Sequence, residues 1–255
     1  RRGPPTRRAP VSDGAAMLRF ALALLFVSCA PASTPGPEVT VSGRAFTFGP
    51  SGDLTLTGAK LYALGFENAG TTLPEAPYDF TLQAPSKRSH AFVIEQEGFM
   101  PTQTATLEVD ETGLDLVGFQ VPTLDLAALL GQFIPAELDA TRCQIATTIS
   151  RLGTEPYGGS GLGLEGVTVE LSPALPRDGK AHGPVYFRYA NESFIYPDPE
   201  LTASTIDGGV LYVNVPPGRY TLTAKKDGHR FTSVTLDCRA GVLVNAAPPR
   251  GLQEE

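Results

Sequence analysis

Short apolar runs that alternate every second residue, each closed by Gly, Pro, Asp or Asn, recur from residue 39 to residue 244 and predict strands. The clearest is residues 207–231. Val210, Tyr212 and Asn214 alternate with Leu211, Val213 and Val215; Pro216-Pro217-Gly218 supplies turn chemistry, and Tyr220, Leu222 and Ala224 resume the pattern up to Asp227-Gly228. This reads as strand, tight turn, strand. Upstream, strands are predicted over 39–48, 54–64 and 104–109, with a hairpin whose limbs carry Phe80, Leu82, Ala84 and His90, Phe92, Ile94 around residues 85–88. Residues 144–150, 167–171, 185–189 and 234–244 supply the later strands, separated by a Gly-rich loop over 153–166 and an aromatic, polar excursion over 191–199. A single helical stretch stands between the halves: Thr123 is placed to cap a helix through Leu124, Leu126, Ala127, Leu130 and Phe133 that Pro135 ends.

The two hairpins superpose. Phe80, Leu82 and Ala84 before Pro85 match Leu211, Val213 and Val215 before Pro216; His90, Phe92, Ile94 and Gly98-Phe99 fall on Tyr220, Leu222, Ala224 and Gly228-His229. Leu56-Thr57-Gly58-Ala59 likewise falls on Leu164-Glu165-Gly166-Val167. Two copies of one domain follow, with a period too long for a solenoid and suited to tandem sandwiches.

Composition changes the picture at the N-terminus. Residues 1–16 are rich in Arg and Pro without an apolar pattern, and the first methionine is Met17, where translation is expected to begin. A basic start at Arg19, an apolar run over 20–27 and small residues after it give residues 17–32 the profile of a signal peptide. Phe26-Val27-Ser28-Cys29 resembles the lipobox of bacterial lipoproteins, which implies a lipid on Cys29; cleavage after Ala32 stays open. The Pro-rich residues 33–37 then form a tether. Of three cysteines, one bears the lipid and Cys143 and Cys238 remain as an even pair that an exported protein can oxidise. Losing residues 1–28, with five arginines and one aspartate, moves the net charge from −7 to −11. An acidic chain whose basic residues stand in isolated pairs lacks the patch that phosphates need, so nucleic acid is excluded as a partner.

Residues 164–171 (Leu-Glu-Gly-Val-Thr-Val-Glu-Leu) and the run Val213-Asn214-Val215-Pro216-Pro217-Gly218-Arg219-Tyr220-Thr221-Leu222, with Lys226-Asp227-Gly228, resemble the carboxypeptidase regulatory-like domains. The resemblance covers about residues 143–245. It implies a transthyretin-like Greek-key sandwich and a non-catalytic module on an exported bacterial protein. In the first copy Ser86-Lys87-Arg88-Ser89-His90 departs from the Gly-x-Tyr form.

Catalytic patterns are few. His90, His182 and His229 stand alone, without the His, Glu and second His that open zinc sites use. Gly158-Gly159-Ser160-Gly161 lacks the spacing of a nucleophile elbow, and Gly161-Leu162-Gly163-Leu164-Glu165-Gly166 matches a dinucleotide fingerprint but leads into a strand. Asp198, Glu200 and Asp207 are the carboxylates a glycoside-type hydrolase would draw on. Asn191-Glu192-Ser193 is a sequon without meaning behind a bacterial leader. Tyr186, Tyr189, Phe194 and Tyr196, with Phe187, form the expected ligand surface, since aromatic rings with polar neighbours suit sugar faces and protein hot spots.

The fold expected is all-β: two tandem Greek-key (transthyretin-like or Ig-like) β-sandwiches, residues 38–122 and 142–247, joined by a linker with a short helix over 123–141 and followed by a tail over 248–255. The function expected is a non-catalytic lipoprotein module of the bacterial cell envelope, surface or periplasmic, that binds protein or carbohydrate or spaces other components. It has no cofactor or metal and meets the membrane through its lipid anchor. A glycoside-type hydrolase and a small-ligand carrier of transthyretin type are the alternatives.

Overall fold

The computed structural model describes residues 3, 36–49, 51–154, 163–191 and 194–255. The leader with Cys29, most of the Pro-rich tether, the glycine-rich segment 155–162 and two residues of the sequon lie outside the described residues. The described residues from 36 onward belong to one compact unit, Pro35–Glu255.

Among the described residues nine strands precede the helix: β1 (Glu38–Phe48), β2 (Lys60–Ala63), β3 (Thr71–Thr72), β4 (Asp79–Pro85), β5 (Arg88–His90), β6 (Phe92–Glu95), β7 (Thr102–Thr104), β8 (Leu107–Val109) and β9 (Leu114–Pro122). Helix α1 (Leu124–Gly131) follows, with the Thr123 hydroxyl accepting the Leu126 N–H at 3.1 Å, the N-cap its sequence predicts. Then come β10 (Cys143–Thr148), β11 (Thr168–Ser172), β12 (His182–Asn191), β13 (Phe194–Asp198), β14 (Gly209–Val215), β15 (Gly218–Lys225), β16 (Val234–Cys238) and β17 (Leu243–Ala246).

The strand pairings repeat. In the first half β1 runs antiparallel to β4 and parallel to β9, while β2, β6 and β7 are antiparallel neighbours. In the second, β10 runs antiparallel to β14 and parallel to β17, while β11, β15 and β16 are antiparallel neighbours. Local hydrogen bonds repeat as well. Gly58 N–H reaches Leu73 O and Leu73 N–H reaches Ala59 O, both at 2.9 Å; Gly166 N–H reaches Ser204 O at 2.8 Å and Ser204 N–H reaches Val167 O at 2.9 Å. Gly58 and Gly166 share a left-handed backbone, at φ 81° and 75°, which suits residues without a Cβ.

Both expected hairpins resolve differently. β14 pairs with β10 and β12, whereas β15 after Pro216-Pro217 pairs with β11 and β16; β4 pairs with β1, whereas β6 pairs with β2 and β7. Each proline corner therefore carries the chain from one sheet of a sandwich to the other, so the two limbs face each other through side chains. Proline suits this position because a corner strand needs no ladder N–H there. At each corner the aligned ring reaches back to the proline carbonyl: the Tyr220 hydroxyl donates to Pro216 O at 3.0 Å, and His90 Nε2 lies 2.8 Å from Pro85 O. Since a carbonyl only accepts, Nε2 carries the proton.

Two sandwiches become one body through a shared sheet. β17 pairs in parallel with β7 (Leu243 with Thr102, Val244 with Gln103, Asn245 with Thr104), which joins the strands in the order β13-β12-β14-β10-β17-β7-β6-β2-β3. Gln103 is fully buried at this seam; its Nε2 donates to Asp237 O at 2.8 Å and its Oε1 accepts from Arg239 Nε at 2.7 Å. Asn245 Oδ1 accepts the Gln120 N–H at 3.0 Å, which ties β9 of the first copy to β17 of the second. A single cluster of buried apolar side chains runs from Val41 to Leu252 through both copies.

Candidate functional site

Cys143, opening β10, and Cys238, closing β16, form a disulfide with Cα atoms 5.8 Å apart. Their strands belong to different sheets, so the bridge staples the second sandwich across its core.

The aromatic stretch is sorted by the pleat of β12, where successive side chains point to opposite faces. Tyr186 is only 2% exposed and turns into the sandwich, which removes it from the expected ligand surface. Its hydroxyl oxygen accepts the Val169 N–H at 3.0 Å, while the Tyr212 hydroxyl donates to Val169 O at 3.0 Å, so two tyrosines of one sheet satisfy the edge strand of the other. Burial raises the pKa of both hydroxyls. Phe187 and Tyr189 point the other way, Phe187 buried and Tyr189 42% exposed. Phe194 stands in β13 opposite Asn191. Tyr196, also in β13, is half-buried, with its ring 4.9 Å from that of Phe133, just beyond α1.

The carboxylates also part. Asp198 is bound by Arg188 Nε and accepts the Glu200 N–H at 2.9 Å. The Arg188 hydrogen bond is the larger cause of its lowered pKa. A carboxylate so engaged is not poised as an acid or a nucleophile. Asp207 sits apart from that pair and lines a different surface. Of the histidines, His90 is buried beneath its corner, and His229 Nδ1 pairs with Glu254 at 2.6 Å, holding the tail. Nε2 of His182 is buried without a hydrogen-bond partner among the described residues.

Where the halves meet they enclose a cleft of about 690 Å³, open on one side. Its walls are the overhanging ends of β1 and β9 (Phe46, Phe48, Pro122), the inner side of α1 and the turn after it (Ala127, Leu130, Ile134), and the outer face of the nine-stranded sheet. On that face β10 and β14 put Ala146 and Leu211 in register and β12 adds Phe187 and Tyr189, an apolar patch that Gln144 and Thr148 flank along β10. Ile145 and Thr147, the neighbours of Ala146 on β10, are buried. The helix has no buried residue and serves as one wall of this opening. Among the described residues two charged side chains line it. Arg44 is gripped by Asp79 through two hydrogen bonds of 2.5 and 3.0 Å. Asp207 is half-buried, its Oδ2 accepting the Gly209 N–H at 3.0 Å, and burial raises its pKa. Volume and lining fall in the range of small-molecule sites, which favour boundaries between domains.

Residue types along the chain gave little notice of this cleft, because its walls come from outward positions of strands in both copies. The signal available was that Ala146 and Leu211 are apolar on a face an ordinary two-layer sandwich leaves wet.

No protein-family model matches the chain, and comparison with curated protein sequences finds no match. Among solved structures the chain is similar to the Bacillus anthracis TIE protein, at 10% identity over 85% of this chain and 34% of that one, with a TM-score of 0.25. It is also similar to a streptococcal ancillary pilin, at 11% identity over 86% and 69% of the two chains with a TM-score of 0.27. The shaft pilin SpaA from Lactobacillus rhamnosus GG is similar at 11% identity over 87% and 98%, with a TM-score of 0.25.

Proposed function

We propose that the chain is a non-catalytic, exported binding module whose binding element is the cleft between its two sandwiches, occupied by a small, largely apolar molecule. The observation that carries this reading is the cleft itself: about 690 Å³ walled by Ala146, Leu211, Phe187, Leu130 and Phe46. Filling such a space removes apolar surface from water on both partners, at about 25 cal/mol per Å². The carrier reading thus gains ground over the aromatic surface, which loses Tyr186 to the core, and over a hydrolase, for which Asp198 is committed to Arg188. Export is supported by the Cys143–Cys238 disulfide, since such bonds persist in oxidising compartments. The leader-like residues 17–32 and Cys29 support attachment to a bacterial envelope membrane.

N-phenyl-1-naphthylamine, which is uncharged at neutral pH and fluoresces in apolar surroundings, tests the cleft. Saturable binding of one probe per chain is expected, lost in Ala146→Trp and in Leu211→Trp while their melting curves stay cooperative. Absence of saturable binding to the wild type, or equal binding to both variants, would overturn the proposal. Mass spectrometry of protein from its native membrane tests the anchor: a diacylglyceryl group on Cys29 is expected, and an unmodified N-terminus at Ser33 contradicts it.

A further inference from the structure

We propose that the molecule the cleft takes is a cationic amphiphile, a rigid apolar body bearing an amine that lies against the Asp207 carboxylate beside Phe187 and Tyr189. This rests on the cleft being the binding element and adds the charge of its occupant.

Asp207 is a carboxylate without a cation among the described residues. Asp207 stands in the turn entering β14, where its Oδ2 takes the Gly209 N–H, and among the described residues no Lys, Arg or His pairs with it. The other charged side chain lining the cleft, Arg44, has its guanidinium bound by Asp79. A half-buried carboxylate facing apolar walls is costly unless a positive charge completes it. The rise of its pKa through loss of water records that incompleteness.

The surroundings specify the form of that charge. A Cβ on Gly209 would fall 2.4 Å from Asp207 Oδ2 and 2.8 Å from Phe187 Cδ2, so the carboxylate and the ring both close over a residue that has no side chain. Tyr189 follows on the same face of β12, near enough that the charge of Asp207 raises the pKa of its hydroxyl, after burial. A carboxylate flanked by aromatic rings is the environment that an alkylammonium group finds favourable, through ion pairing and cation–π attraction together. An anionic ligand would meet repulsion here, and a neutral one would leave Asp207 unpaired. The apolar remainder, toward Ala146, Leu211 and Leu130, takes the body of the ligand.

A matched pair separates the two claims: 4-biphenylmethylamine, a cation at neutral pH, and 4-biphenylmethanol, its uncharged analogue, each titrated against bound N-phenyl-1-naphthylamine at pH 7.5. The amine is expected to bind about tenfold or more tightly than the alcohol, the scale of one partly desolvated ion pair. In Asp207→Asn, which keeps an acceptor for the Gly209 N–H and removes the charge, that ratio is expected to fall to within about twofold of unity. Equal affinities in the wild type, or a preference that survives in Asp207→Asn, would overturn the amine while leaving the cleft reading in place. Failure of both molecules to displace the bound probe would likewise overturn the amine alone, whereas a wild type that does not bind the probe saturably would overturn both. Cooperative unfolding of Asp207→Asn shows that the variant is folded.

Discussion

Gln103 is the side chain on which the union of the two sandwiches leans most, and replacing it with methionine isolates its polar contribution. The residue is fully buried, with both ends of its amide engaged by the second copy: Nε2 by Asp237 O at 2.8 Å and Oε1 by Arg239 Nε at 2.7 Å. Gln103→Met keeps the volume and removes both bonds. The bond to a charged donor contributes about 1.5–3 kcal/mol and the neutral one about 1, so a loss of about 2.5–4 kcal/mol is expected. Arg239 aggravates the loss, because its Nη2 is already buried without a hydrogen-bond partner among the described residues. For a unit of this size each kcal/mol lowers the melting temperature by about 2–4 °C, which puts Gln103→Met about 5–15 °C below wild type. Urea unfolding followed by far-ultraviolet circular dichroism and by tyrosine fluorescence measures it, the chain having no tryptophan. The wild type should show one coincident transition, since one core and one nine-stranded sheet run through both copies. A Gln103→Met variant within about 0.5 kcal/mol of wild type, or a wild type that unfolds in two separated steps, would refute the reasoning.

Reducing the Cys143–Cys238 bridge, or replacing both residues by alanine, is expected to cost about 4–5 kcal/mol on the chain-entropy account, because its ends lie 95 residues apart; an unchanged urea midpoint under reductant would contradict this. At the first corner, burial chiefly, with Arg88 nearby, holds the His90 pKa below its ordinary value, against the hydrogen bond to Pro85 O, which raises it. The unfolded chain therefore binds the proton more readily, and stability present above about pH 6.5 is lost as pH falls toward the folded-state pKa. His90→Tyr, which gives this corner the residue found at position 220, should flatten that part of the pH–stability curve; parallel curves would sink the assignment. Tyr220→Phe, which leaves Pro216 O without its donor, is expected to lose about 1 kcal/mol in the same urea assay.

Particular elements show what sequence could and could not carry. The repeat was legible because its alternating apolar positions, proline corners and glycine turns are local signals, and the pairings of β1, β4, β9 and of β10, β14, β17 follow the same plan. The Thr123 cap was legible for the same reason. Partner choice was not: alternation gives each strand a face but does not say which sheet it enters, so limbs joined by Pro85 or by Pro216-Pro217 read as hairpins. Two consecutive aromatic residues, Tyr186 and Phe187, offered no parity signal, and burial of both followed from a sheet covered on its two faces. The β7–β17 seam rests on Gln103 and Asn245, polar residues that look like solvent positions until their partners are placed. The cleft is a product of that seam, and nothing in the local pattern of the chain sets Asp207 apart from Asp198 and Glu200.

The central claim, that the opening between the sandwiches is a binding site, is tested most directly by a crystal structure of the protein grown with saturating 4-biphenylmethylamine. The account predicts one molecule whose rings lie against Ala146 and Leu211 and whose nitrogen lies within hydrogen-bonding distance of Asp207. A cleft holding only water, with the amine elsewhere or absent, would contradict it.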